Sequence, residues 1–122
     1  MKIIILGGGQ VGGTLAENLA NEDNDITIVD KDLKRLRELQ DRLDIRTIQG
    51  MACHPPILEQ AGCNDADMLI AVTDSDEINM LACHLVATLY NTPTKIARVR
   101  SKAYLENQKI FGPDGINMDV II

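Results

Sequence analysis

Short apolar runs rich in Ile and Val alternate along this chain with segments whose apolar residues fall three and four apart. The runs are Ile3–Leu6, Ile26–Val29, Thr47–Ile48, Met68–Thr73, Lys95–Val99 and Asp119–Ile122. Two of them are almost continuously apolar, the pattern of strands covered on both faces. The first helical segment, about Val11 to Asn21, carries Val11, Leu15 and Leu19 on one stripe. The second opens on Asp32 as N-cap and repeats Leu33, Leu36, Leu39 and Leu43, with Lys34, Arg35 and Arg37 turned to water. Pro55 and Pro56 begin a short third helix that Gly62 ends. A fourth starts near Ser75, with Asp76 and Glu77 in a first turn where negative charge complements the helix dipole. The fifth covers about Lys102 to Ile110, after which FGPDG turns the chain into the last strand.

Six strands alternating with helices predict a Rossmann-type α/β fold. Its expected form is a doubly wound six-stranded parallel sheet of order 3-2-1-4-5-6, joined by right-handed crossovers. No repeat, linker or low-complexity tract interrupts residues 1–122, which read as one domain. The chain stops at DVII in the middle of an apolar strand, so the expectation is a fragment of a longer natural chain that continues beyond Ile122.

Composition narrows the function. With 45% hydrophobic and 25% charged residues the chain has the make-up of a soluble globular domain. Only 2% of it is aromatic, with no Trp, so the core must be aliphatic. A net charge of −6 disfavours nucleic acid and unaided adhesion to an anionic membrane. No run approaches the roughly 20 apolar residues of a membrane span, so no direct lipid insertion is expected. Cys53, Cys63 and Cys83 form no CxxC and read as free thiols of a reducing cytosol.

The chemistry concentrates in three places. Directly after the first run, Gly7, Gly9 and Gly12 have the spacing G-x-G-x-x-G between a strand and an amphipathic helix. In a dinucleotide site Gly7 makes the tight turn, Gly9 lets the backbone approach a pyrophosphate, and Gly12 permits close helix–strand packing. The N–H groups of Gly9, Gln10 and Val11 then face the anion at the helix N-terminus. The alternative is a glycine-rich turn without a ligand. Asp30 closes the second strand in DITIVD, where a carboxylate accepts hydrogen bonds from ribose hydroxyls and repels a 2′-phosphate, favouring NAD over NADP. Lys31 weakens that repulsion, and Asp30 could instead compete with Asp32 to cap the second helix. At the carboxyl end of the fourth strand, AVTDSDEIN places Thr73 and Asp74 where the strand order reverses and ligands settle. Both can also serve as turn and cap residues.

Arg98 and Arg100 share one face of the fifth predicted strand, and an Arg there needs an anionic partner. For Arg98 that partner is either a nucleotide phosphate or ribose, or a carboxylate in the fold or across a dimer. No Ser-His-Asp order or Walker lysine stands out. Cys53-His54 and Cys83-His84 lack a third ligand at metal spacing, so structural roles are expected for them, with no catalytic residue and no metal.

Taken together, MKIIILGGGQVGGTLAENLA, DADMLIAVTDSDE and NTPTKIARVRS closely resemble the N-terminal domain of the RCK/KTN family, the cytoplasmic TrkA-type regulatory subunits of bacterial Trk potassium-uptake systems. The resemblance runs over essentially all of the chain. It implies a regulator of potassium transport rather than an enzyme, with NAD(H), and in many members ATP or ADP, in the crevice. It also implies a homo-oligomer, dimers assembling to a ring, held at the inner face of the cell membrane by a potassium transporter subunit. By motif match its nucleotide contacts fall on Gly7, Gly8, Gly9, Gln10, Val11, Gly12, Asp30, Thr73, Asp74 and Arg98. Gly8 stands where Ala or another small residue is common. The competing reading is the nucleotide-binding half of an NAD-dependent dehydrogenase, cut off before the domain that would supply an acid or base at the nicotinamide.

Overall fold

The computed structural model describes residues 1–122. Six parallel strands form one sheet: β1 (Lys2–Leu6), β2 (Asp25–Asp30), β3 (Arg46–Gln49), β4 (Met68–Ala71), β5 (Thr94–Ala97) and β6 (Val120–Ile121). Their order is β3-β2-β1-β4-β5-β6, as the alternation of runs predicts. Five α-helices connect them: α1 (Gln10–Ala20), α2 (Leu33–Arg42), α3 (Pro55–Ala61), α4 (Asp76–Leu89) and α5 (Lys102–Leu105).

β1 lies at the centre and pairs with β2 (Leu6 opposite Val29) and with β4 (Leu6 opposite Ala71). Its side chains alternate between two cores. Ile3 and Ile5 pack with Ala16, Leu36 and Leu39 under α1 and α2. Ile4 and Leu6 pack with Leu58, Met80 and Val86 under α3 and α4. Both faces are therefore dry, which is why the run shows no polar alternation.

Local signals set most boundaries. The Asp32 side chain accepts from the N–H groups of Lys34 and Arg35 at the start of α2. Ser75 caps α4 by accepting from Ile78 N–H at 3.2 Å. Gly62 ends α3 in the left-handed region at φ 95°, which favours glycine.

Four details depart from the sequence reading. β4 stops at Ala71, although Val72 N–H still bonds Leu6 O at 2.8 Å. β5 stops at Ala97, so Arg98 and Arg100 lie beyond the strand and not on its face. The fifth helix ends at Leu105, and a separate 3-10 turn, Gln108–Ile110, follows. Asn107 divides the two: its side chain donates to Ala103 O at 2.8 Å, satisfying a carbonyl that a continuing helix would use. Finally, Leu33 points to solvent, and α2 buries Leu36 and Leu39 instead.

Candidate nucleotide-binding site

The loops after β1, β2, β3 and β4 meet at the carboxyl edge of the sheet, at the point where the strand order turns back. A cavity of about 310 Å³ opens there. That lies at the lower end of the range for small-molecule sites. Eight of the ten residues singled out in the sequence line it: Gly7, Gly9, Gln10, Val11, Asp30, Thr73, Asp74 and Arg98.

Gly7 builds the floor. It has φ +108°, and a Cβ there would stand 2.9 Å from both Val72 O and Thr73 N. Only glycine lets the turn after β1 rest against the end of β4. Gly8 and Gly12 lie off the cavity. Gly8 is buried, and its N–H donates to Asp30 Oδ2 at 2.7 Å. A Cβ on Gly12 would collide with the carbonyl oxygen of Gly7, so α1 sits directly under the loop.

The first turn of α1 forms the anion-facing wall. Gly13 N–H is the first to bond back along this helix, to Gly9 O at 2.8 Å, so the preceding N–H groups have no helical acceptor. Gly9, the N-cap residue, offers no side chain, whereas Asp32, Ser75 and Ser101 cap α2, α4 and α5 with oxygen atoms. Such a donor set fits a phosphate group.

Asp30 is nearly buried and holds the opposite wall. Besides Gly8, it accepts from Asp32 N–H through Oδ1 at 2.8 Å. Each carboxylate oxygen keeps a second lone pair for a hydroxyl donor. Arg35, in the first turn of α2, approaches Asp30 Oδ2 to 3.9 Å and lines the same cavity. With Lys31 and Arg98, the cavity sets three cations against Asp30 and Asp74, in a chain whose net charge is −6.

The half-buried Arg98 makes no ion pair within the chain. That removes a carboxylate within the fold as its partner and leaves a nucleotide phosphate or ribose, or a carboxylate across a dimer. Arg100 does meet a carboxylate, but through its backbone: its N–H donates to both oxygens of Asp76, each at 3.1 Å.

The TrkA-N domain profile matches residues 3–121, nearly the whole chain. The chain belongs to the TrkA-N family. The Trk system potassium uptake protein TrkA of Halomonas elongata is 63% identical over all of the chain, and that of Vibrio alginolyticus 58%. The chain spans only 27% of the length of each. Among solved structures, the TrkA-N domain of the Escherichia coli inner membrane protein ybaL aligns with TM-score 0.82 at 20% identity, covering 99% of this chain and 85% of that one. The GsuK channel bound to NAD aligns with TM-score 0.78 at 23% identity, covering 98% of this chain and 21% of that one. GsuK bound to ADP aligns with TM-score 0.79 at 21% identity, covering 99% and 30%. At these identities the structures speak for a shared fold.

Within this TrkA-N domain, three features of the site escaped the sequence reading. The helical pattern turns Arg35 to water, yet its half-exposed guanidinium reaches the cavity. Gly50, Met51 and Ala52 follow β3 into the lining. Asn79 is fully buried on α4 and binds the backbone of both Thr73 and Arg98. A signal existed for it: Asn79, Ala82, Cys83 and Val86 fall on one helical stripe, and only the first is polar.

Neither cysteine–histidine pair lines the cavity. Cys83 is buried in the core, and desolvation pushes its thiol up to about 12, with Lys95 opposing and Asp119 adding to the shift. Cys63 is likewise pushed up to about 12 by burial, against the pull of Lys2. Thiols so held carry almost no thiolate at neutral pH.

Proposed function

We propose that this TrkA-N domain is the nucleotide-binding module of a regulatory subunit in a potassium-uptake system, and that it senses its ligand without transforming it. The ligand is NAD(H) or an adenine nucleotide, ATP or ADP. The observation that carries this reading is the convergence of the uncapped α1 N-terminus, Asp30 and the unpaired Arg98 on one cavity. The uncapped amides suit a diphosphate, the Asp30 carboxylate suits ribose hydroxyls, and Arg98 supplies a cation to the far half of the ligand. The names of the curated relatives and the nucleotides in the GsuK structures support the same class.

In this reading residues 1–122 are one module of a longer cytoplasmic chain. It works as a homo-oligomer, dimers forming a ring, beside a membrane-embedded transporter subunit. Nucleotide regulates transport through unequal affinity for two arrangements of that assembly, a coupling of roughly 1–3 kcal/mol in typical allosteric systems.

Competition calorimetry with NADH, NAD⁺, ATP and ADP tests the binding step. At least one must bind this chain, and Asp30→Ala must weaken it; no binding by any of the four sinks the proposal. The regulatory step is tested by potassium uptake in cells expressing the full-length subunit with Arg98→Ala. Wild-type uptake across conditions that change the nucleotide pool would contradict it.

A further inference from the structure

The ladder between β4 and β5 ends at the bond from Arg98 N–H to Ala71 O, 2.9 Å long. Beyond that point the two segments border the cavity. The Asp76 carboxylate ties them at the far end by accepting from Arg100 N–H and Ser101 N–H, and one buried side chain holds them next to the cavity. Asn79 Oδ1 accepts from Thr73 N–H at 2.9 Å and from the Thr73 hydroxyl at 2.6 Å. Its Nδ2 donates to Thr73 O at 3.1 Å and to Arg98 O at 2.9 Å. Asn79 is fully buried and does not line the cavity, so it cannot act by touching a ligand. An amide in an otherwise apolar stripe is tolerated because its donors and acceptor are all engaged.

Asp30 holds the other half of the cavity in a comparable way, through the N–H groups of Gly8 and Asp32. No hydrogen bond joins the two clamps. Each half of the site therefore has its own support, the β1–β2 half from Asp30 and the β4–β5 half from Asn79.

We propose that Asn79 is the positioning residue for the part of a dinucleotide that extends past its first phosphate. It fixes the backbones of Thr73 and Arg98 at one spacing, and leaves the adenosine half to Asp30. The proposal rests on the nucleotide reading of the cavity. It also names a selectivity that a general packing role would not produce.

Calorimetric titration of the chain with NAD and with AMP separates the two halves, because AMP carries one adenosine and one phosphate only. For Asn79→Ala the dissociation constant for NAD should rise tenfold or more, while that for AMP changes less than twofold. Equal losses for the two ligands, or no loss in a folded variant, would overturn the assignment. Should Asn79→Ala fail to fold, Thr73→Val serves instead: it removes the hydroxyl bonded to Oδ1 and keeps the side-chain shape. It should shift the NAD-to-AMP affinity ratio in the same direction by severalfold, and an unchanged ratio counts against the proposal. If the wild type binds neither NAD nor AMP, the nucleotide reading itself fails.

Discussion

The amide of Gly8 donates a 2.7 Å hydrogen bond to Oδ2 of Asp30, tying the turn after β1 to the last residue of β2. One carboxylate thereby shapes the glycine loop and stands at the cavity. Asp30→Ala removes both acceptors and leaves the buried Gly8 N–H unsatisfied. We predict a stability loss of about 1–3 kcal/mol and a similar loss in NAD affinity. Urea denaturation and titration calorimetry measure the two separately. Unchanged affinity in a destabilised protein would confine Asp30 to loop geometry.

Gly12→Val places a branched side chain where the Gly7 carbonyl oxygen already sits. Overpacking of this kind costs about 1–3 kcal/mol or more, since the obstacle is backbone and cannot turn aside. The variant should be destabilised and should lose nucleotide binding together with its loop geometry. A folded Gly12→Val with normal affinity would put the diphosphate elsewhere.

Arg98→Ala should behave differently, because Arg98 has no carboxylate partner in the chain. Stability should change by no more than about 0.5 kcal/mol, the range for surface positions free of such partners. Affinity for NAD should fall by about 1.5–3 kcal/mol, the worth of a hydrogen bond to a charged group. Thermal melting and calorimetry decide; a large drop in melting temperature would assign Arg98 a structural role.

The two buried thiols make an alkaline prediction. Their protons are held in the folded state up to about 12, against an ordinary 9.0. Between those values the unfolded chain loses protons that the folded one keeps, so the thiols' contribution is complete below 9.0 and is lost as pH rises toward 12. The slope is about 1.4 kcal/mol per pH unit per thiol. Urea midpoints from pH 8 to 11 should fall less steeply for Cys83→Ala than for the wild type, and parallel profiles would refute it.

Much of the fold was legible because it follows from repeating local rules. The alternation of Ile-rich runs with helical stripes gives the strand order, and Asp32, Ser75, Pro55 and Gly62 mark helix ends through their own backbone chemistry. What stayed hidden depends on contacts distant in sequence. The end of β5 short of Arg98 is visible only once Asn79 is placed against it. Arg35 looked like one of several solvent-facing cations on α2, and only the course of β2 brings it beside Asp30. Asn107 was legible in principle, since an Asn side chain competes for the carbonyls of the preceding turn.

β1 runs through the middle of the sheet with a neighbour bonded along each side, Ile3 to Leu6 matched to Ile26–Val29 and to Met68–Ala71. The segments that leave these strands cannot slide past one another without breaking a ladder in the dry centre of the molecule. An incoming guest thus meets a seat already cut to size and surrenders little chain freedom on arrival. Any message it sends would travel through the shoulders beyond the ladder: the stretch after β3, held by the bond from Gly50 N–H to Asp30 O at 3.0 Å, and the segment after β5, which Asn79 and Asp76 tie to α4.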